Sequence, residues 1–269
     1  MATECVYCGN PTMIPKRFDG KLKPDYVIPF KKNKADAVAA LKKFYEGHRL
    51  LPDNFTANNR VEAIQPMYVP FWLFDSEIRA HAEYKATRVR RYDSGNMLVT
   101  ETQVYNCQRA ARMKFEKIPA DGSKKMDDAY MESIEPFNYS ELVPFSTAYL
   151  TGYLADKYDV AAETCAPRVD KRVENSVLAV LNNSVQNFNE VEMQDAAVIK
   201  DVGKVIYALV PVWILTTRYE DKPYTFMMNG QTGKVVGSLP YDKGKAFKYP
   251  AIAAVVSMPV FYILASMFF

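Results

Sequence analysis

Two cysteines near the start of the chain have the spacing of a metal-binding turn. Cys5 and Cys8 form a C-x-x-C pair that is followed directly by Gly9. Zinc takes four ligands in a tetrahedron, and two thiolates on one tight turn supply two of them. A glycine after the second cysteine permits the left-handed backbone that such a turn needs. The pattern predicts half of a zinc ribbon, with Cys5 and Cys8 as zinc ligands.

The remaining sequence offers no second pair of ligands with a suitable spacing. Cys107 and Cys165 stand alone, and His48 and His81 have no neighbouring ligand. A complete zinc site would therefore need a second chain or a preceding segment. Two alternatives stay open for the C-x-x-C pair. One is a redox dithiol, which normally lies at a helix N-terminus, and the other is a chance or vestigial motif.

A group of arginines lies on two strands that are predicted to be neighbours. Its members are Arg88, Arg90, Arg91, Arg109 and Arg112. Such a patch suits an anionic partner, either lipid head groups or nucleic acid. The alternative is a solvated surface on which Glu101 and Glu116 pair with the arginines. The chain has 34 basic and 31 acidic residues, a balance too mild to indicate a dedicated nucleic-acid-binding domain.

No catalytic constellation is recognisable in the sequence. The two histidines are isolated, which leaves little material for a Ser/His or Cys/His site. The glycines at 233 and 237 lack the spacing of a phosphate-binding loop. Asp127 and Asp128 are explained by a helix start, where carboxylates interact favourably with the helix dipole. We therefore predict no catalytic residues; an enzyme site assembled from distant residues is the alternative.

The elements that must position these residues follow an α+β pattern, with mostly antiparallel sheets and packed helices. Alternation of apolar and polar residues predicts a strand over 77–86, with Ile78 at the start of its apolar face. A hairpin turn is predicted at 93–96. Helices are predicted from Asn33, with Asp36 completing a short capping box, and from Pro167.

A weak internal repeat runs through this pattern. YVPFWLF (68–74) matches LVPVWIL (209–215), which places the two tryptophans of the chain in equivalent positions. Upstream, VIPF (27–30) matches LVPF (142–145). Chance similarity of short apolar words is the alternative. The recurrence of two words in the same order favours duplication of a strand–helix–strand–strand unit.

The C-terminal segment has the composition of a transmembrane helix. Residues 249–269 carry no charge, and as a helix they would rise about 31 Å, the thickness of a bilayer's hydrocarbon core. Lys243, Lys245 and Lys248 precede this segment, and basic residues beside a span mark the cytoplasmic side. We predict a single-pass cell-membrane protein with a cytoplasmic main domain. A buried C-terminal core helix is the alternative.

These features divide the 269 residues into three predicted parts. They are a partial zinc ribbon at 1–14, an α+β domain at 15–245 with related halves at about 24–120 and 138–240, and a transmembrane anchor at 246–269.

Several longer words of the sequence carry a family resemblance. They are ECVYCGNPT, PDYVIPF, IQPMYVPFWLFD, KMDDAYMESIEPF, TAYLTGYLADKYDV and MNGQTGKVVGSLPYDKG. In this order they resemble a group of bacterial membrane-attached zinc-ribbon proteins, also described as transcription-factor-IIB-type or primosomal-helicase-like. The resemblance implies that Cys5 and Cys8 are the second of two C-x-x-C pairs, and that the chain is an N-terminally shortened version. It implies no biochemical activity.

Two functions are consistent with these observations. The first is a membrane-tethered cytoplasmic adaptor or sensor, without catalytic activity, that binds an unidentified protein partner or ligand. The second is a nucleic-acid-binding accessory protein of replication or transcription that uses the zinc ribbon and the arginine patch. The first is favoured because a large folded domain and an anchor are predicted, and no catalytic group is found.

Overall fold

The computed structural model describes residues 2–4, 11–13, 23–46, 48–58 and 63–268. The helices are α1 (Lys34–Glu46), α2 (Asp53–Asn58), α3 (Asp128–Ser133), α4 (Ala162–Asn183) and α5 (Lys243–Phe268). The strands are β1 (Ala2–Glu4), β2 (Pro11–Met13), β3 (Tyr26–Val27), β4 (Gln65–Ser94), β5 (Met97–Asp121), β6 (Val143–Pro144), β7 (Leu154–Ala155), β8 (Glu190–Tyr219), β9 (Lys222–Asn229) and β10 (Val235–Gly237).

Strands β3 to β10 form one mixed sheet, and β1 pairs with β2 separately. The long strand β4 lies between β5 and β8 and is antiparallel to both. The pairs β3–β8 and β4–β7 are parallel. The predicted fold class, with mostly antiparallel sheets and a transmembrane helix, is therefore wrong. The parallel pairs were missed because β3 and β7 are two residues long, too short to leave a hydrophobic pattern.

Three long strands project from the sheet as an arm, which comprises residues 76–115 and 190–202. Strands β4 and β8 have 30 residues each, which corresponds to about 100 Å at 3.3 Å per residue. Helix α4 covers one face of the arm. The buried side chains of β4 on this face are Ile78, Ala80, Ala82, Tyr84 and Ala86. Tyr84 also donates a hydrogen bond to Oδ1 of Asn182, near the end of α4 (2.8 Å).

The arm meets the rest of the sheet where the pairing of the strands becomes irregular. We call this region, formed by Asp75, Lys117 and Gly203, the junction. The register of β4 shifts here against both β5 and β8. Lys117 has a φ of 55° and donates its backbone N–H to Oδ1 of Asp75 (2.8 Å). A Cβ atom on Gly203 would lie 2.7 Å from the carbonyl oxygen of Asp75. The glycine therefore allows the two backbones to approach closely.

The two tryptophan-containing segments pair with each other about a local two-fold axis. Val69 lies opposite Val210, while Tyr68 lies opposite Pro211 and Pro70 opposite Leu209. Adding 141 to a residue number of the first segment gives its counterpart in the second. The two-fold relation therefore exchanges the pair Tyr68–Pro211 with the pair Pro70–Leu209 and leaves the pair Val69–Val210 in place.

The same two-fold relation extends to the segments around the tryptophans. Trp72 donates its indole N–H to the carbonyl of Val160, and Trp213 donates to the carbonyl of Lys32, each at 2.9 Å. Each acceptor lies two residues before a helix, α4 or α1. Gly122 donates its N–H to the carbonyl of Pro70. The matching hydrogen bonds join Gly230 to the carbonyl of Pro211, Val160 to that of Gly122, and Lys32 to that of Gly230.

For the segments upstream of the tryptophans, the structure gives counterparts that differ from those of the predicted repeat. By its contacts β3 corresponds to β7, because each pairs in parallel with a long strand of the other half. Strand β3 pairs with β8, and β7 pairs with β4. The segments Val27–Phe30 and Leu142–Phe145, matched in the sequence, are instead neighbours, because β3 pairs with β6. The buried stripes of the two helices also correspond: Ala37, Leu41 and Tyr45 in α1, and Cys165, Val169 and Val173 in α4.

The predicted transmembrane anchor at 246–269, and with it the predicted membrane localisation, is contradicted. Across the parts of the chain described here, no helix has the length and apolar character required to cross a bilayer. Helix α5 begins at Lys243, within the lysine-rich segment, rather than at the uncharged segment that motivated the prediction.

Candidate functional site

A cleft of about 500 Å³ opens where the end of β5 meets the beginning of α4. Its floor contains the buried residues Asp121, Ser123, Met126 and Cys165. The other lining residues are Lys124, Asp127, Asp128, Val160, Thr164 and Arg168. The strand contributes Asp121 as its last residue, and the first turns of α4 contribute Thr164, Cys165 and Arg168.

Asp121 is the buried charged group of this cleft, with a side chain that is only 1% exposed. One carboxylate oxygen, Oδ1, accepts a hydrogen bond from the Arg168 guanidinium at 2.8 Å. The other, Oδ2, is buried and has no hydrogen-bond donor among the described residues. Burying an oxygen that accepts no hydrogen bond lowers the stability of the folded protein. Asp121 is therefore stabilised on one side only.

Arg168 connects Asp121 to the rim of the cleft. Besides Asp121, it forms an ion pair with Asp128 and lies 3.8 Å from a carboxylate oxygen of Glu132. Asp127 accepts a hydrogen bond from the backbone N–H of Ala129 (2.8 Å) and so caps α3. The helix start predicted at these aspartates is confirmed. The side chain of Asp128 is 59% exposed, so this ion pair lies at the solvent-facing rim.

The two aspartates are held at different proton affinities. Burial raises the pKa of Asp121 to about 6, and the neighbouring Asp128 carboxylate adds to this rise, although Arg168 acts in the opposite direction. A hydrogen bond from Arg168 lowers the pKa of Asp128. The Cys165 thiol donates to the Asp121 backbone carbonyl (3.4 Å), and burial raises its pKa. A buried thiol of raised pKa is a poor nucleophile.

The raised pKa of Asp121 predicts a pH-dependent stability. Between about pH 4 and pH 6 the folded chain binds this proton more tightly than the unfolded chain does. The stabilisation is therefore present at pH 4 and is lost as the pH rises through 6. The shift corresponds to at most about 3 kcal/mol. We expect urea denaturation to give a free energy of unfolding that decreases over this interval in the wild type, and a flatter profile in Asp121→Asn. An equal decrease in both proteins would contradict this assignment.

The structure distributes the five predicted patch arginines over both faces of the arm. Residues paired across strands share a face. Arg109 lies opposite Ala82, which is buried beneath α4. By strand alternation Arg88 and Arg90 lie on this face too. Arg112 lies opposite Arg79 on the other face, and Arg91 shares that face.

Several of these arginines have local structural partners. The Arg88 guanidinium lies over the rings of Tyr105 and Phe188, with 5.6 and 5.4 Å to the ring centroids. Arg109 donates to the carbonyl of Ser184, just after α4 (3.5 Å). Arg112 lies 3.7 Å from Glu77. Glu116, which was expected to pair with arginines, instead pairs with Lys114.

The remaining predicted site residues lie apart from the cleft. Cys5 and Cys8 fall outside the described residues, so the zinc half site stays a prediction. Among the described residues, no group of His, Cys, Asp and Glu is arranged to hold a metal ion. Lys243, Lys245 and Lys248 all belong to α5, and Lys245 bonds to the carbonyl of Leu51 (2.8 Å) and to Asp53 (2.7 Å). Lys245 thus fixes α5 to the segment around α2.

Sequence reasoning did not find the Asp121–Arg168 pair. The two residues are 47 positions apart, and neither belongs to a recognisable motif. The correspondence of Asp121-Gly122 with Asn229-Gly230 is visible only in the structure, where Asp121 and Asn229 each end the strand that follows a tryptophan segment.

These features define a mixed-sheet protein with two related glycine turns, one of which opens onto a cleft at the base of a long arm. The chain is 36% identical over 233 residues to the uncharacterized protein YdjG of Bacillus subtilis (strain 168). The alignment covers 87% of this chain and 68% of YdjG. The chain therefore belongs to the same family as YdjG. No family model and no solved structure matches it.

Proposed function

We propose that this protein is a ligand-responsive adaptor without catalytic activity of its own. The observation that carries the proposal is the buried Asp121 carboxylate, one oxygen of which lacks a donor among the described residues, at the floor of a cleft of about 500 Å³. A pocket with a few converging polar groups is the usual form of a small-molecule site. In this proposal the cleft is the sensing site.

The position of α4 supports a connection between the cleft and the arm. The first turns of α4 line the cleft through Thr164 and Arg168. Its later turns pack on the arm through Val173, Val177 and Leu181. A ligand that reorients Arg168 would therefore act on the same rigid helix that covers the arm.

The tip of the arm is the surface that the adaptor would present to a protein partner. Pairing of β4 with β8 ends at Thr87 and Glu190, so residues 88–103 continue as a hairpin of β4 and β5. The side chains of Met97 and Leu98 at the turn are 70% and 67% exposed. Contiguous exposed apolar surface marks protein interaction sites, and these two adjacent residues form a small apolar surface at the tip.

A ligand panel tests this function on the full chain. Amines, amino acids, sugars and nucleotides would be screened by thermal shift against the wild type and Asp121→Asn. We expect at least one compound to raise the Tm of the wild type only, and to slow amide hydrogen exchange at 78–86 in the arm. NMR spectra of the compound should be unchanged after prolonged incubation.

Two results would contradict the proposal. Chemical conversion of the bound compound would identify an enzyme. Binding in the cleft with unchanged exchange in the arm would mean that the cleft does not act on the arm.

A further inference from the structure

The local two-fold axis supplies a comparison for Asp121 within the same chain. Gly122 corresponds to Gly230, so Asp121 corresponds to Asn229, and both residues are buried. The Asn229 amide donates to the carbonyls of Ile134 (3.1 Å) and Pro136 (3.2 Å). Its Oδ1 accepts from the backbone N–H groups of Gln231 and Thr232, each at 2.9 Å. Asn229 is thus fully satisfied by the chain itself.

The two corresponding positions differ in what faces them. At Asn229 the segment from Ile134 to Pro136 supplies the outer partners. At Asp121 the described residues supply Arg168 to one oxygen and no donor to the other, and the side chain lines the cleft. A carboxylate only accepts hydrogen bonds. The missing partner must therefore be a donor.

The charges of the cleft favour a cationic donor. Asp121, Asp127 and Asp128 line it, and the single guanidinium of Arg168 is shared among Asp121, Asp128 and Glu132. Lys124 on the rim adds one further positive charge. Carboxylates outnumber cations, and burial strengthens the attraction of Asp121 for an added positive charge.

We propose that the cleft binds a protonated primary amine, whose ammonium group bridges Asp121 and Asp128. This inference rests on the proposed role of the cleft as the ligand site. In this proposal the Asp128 side chain turns aside on binding, because Oδ2 of Asp121 is buried in the free protein. The apolar walls at Met126 and Val160 accommodate the carbon chain of the amine. Small organic amines and lysine side chains both carry such an ammonium group, and the probes below separate these two sources.

The test is a ligand-observed NMR titration of the full chain at pH 7.5. The probes are propylammonium, Nα-acetyl-lysine amide and tetramethylammonium. The lysine derivative has a free side-chain amine, and tetramethylammonium carries the same charge but no N–H donor. We expect propylammonium to bind at least about tenfold more tightly than tetramethylammonium. Tighter binding of the lysine derivative would indicate a peptide source, and tighter binding of propylammonium a small amine.

Competition between the ammonium group and protonation of Asp121 provides a second measurement. At pH 5 only about a tenth of Asp121 is ionised for a pKa of about 6, so the affinity for propylammonium should fall about tenfold. Asp121→Asn should abolish binding. Asp201→Asn is the matched control, because Asp201 carries an exposed carboxylate on the arm that does not line the cleft, and it should change affinity less than threefold.

Equal binding of propylammonium and tetramethylammonium, or no binding of either amine, would overturn the inference. This comparison uses only the wild type, so it stays decisive if Asp121→Asn fails to fold. If the ligand panel finds a cleft compound of another class, the proposed function survives without the amine. If propylammonium binds but exchange in the arm is unchanged, the amine site survives without the sensor function.

Discussion

Replacement of Arg168 by methionine is expected to lower the free energy of unfolding by about 3–5 kcal/mol at pH 7.5. The side chain of Asp121 is 1% exposed, and Arg168 supplies its one hydrogen bond from a side chain among the described residues. Removal of the guanidinium leaves a buried carboxylate without a counter-charge, which is the costly way to break a buried ion pair. At pH 5 the loss should be smaller, because Asp121 then takes up a proton.

Urea denaturation of three variants measures this effect. The double variant Asp121→Asn/Arg168→Met removes both charges and should recover more than half of the stability lost in Arg168→Met. Arg79→Met is the control, since Arg79 and Asp201 form an exposed ion pair, worth about 0–1 kcal/mol. A loss in Arg168→Met that is equal at pH 5 and pH 7.5, and unchanged in the double variant, would show that Arg168 acts through packing alone.

Gly203→Ala is expected to destabilise the fold by about 1–3 kcal/mol, as is usual for overpacking. The added Cβ would meet the backbone of Asp75, with 2.7 Å to the carbonyl oxygen and 2.9 Å to the carbonyl carbon. A backbone cannot rotate away as a side chain can. The strands must therefore separate at the junction, which weakens the hydrogen bonds between β4 and β8.

Gly244→Ala is the control for this substitution. Gly244 lies in the first turn of α5, and its added Cβ would meet only Oδ1 of Asp242, at 3.1 Å. Alanine in a helix gains about 1 kcal/mol over glycine, so this variant should be neutral or more stable in the same urea titration. Faster hydrogen exchange in Gly203→Ala should centre on residues 74–78. A Gly203→Ala protein as stable as the wild type would mean that the junction tolerates a wider spacing.

The sequence predicts elements well where a local pattern determines them. Asn33 and Asp36 were predicted to cap a helix together, and each accepts a hydrogen bond from the backbone N–H of the other (2.9 and 3.0 Å). The apolar face starting at Ile78 is confirmed as buried. Alternation was visible there because one face meets α4 and the other meets solvent.

Features that depend on distant contacts could not be predicted in this way. Helix α4 begins at Ala162 rather than at Pro167, which lies inside it. The cleft needs Asp121 and Arg168 to meet across 47 positions, and both are residue types that are common on surfaces. The significance of Asp121 becomes visible only beside Asn229, and this comparison requires the pairing register of β4 and β8.

The junction has a mechanical consequence. From residue 76 to residue 94 the arm extends about 60 Å, whereas Asp121 lies only four residues beyond Lys117, about 13 Å from the junction. A shift of about 1 Å at Asp121 that turned the arm rigidly about the junction would carry the tip about 4–5 Å. The molecule therefore has the proportions of a lever with a short input side and a long output side. Under such a rotation, a change of atomic size at the cleft would displace Met97 and Leu98 by about the size of an amino-acid side chain.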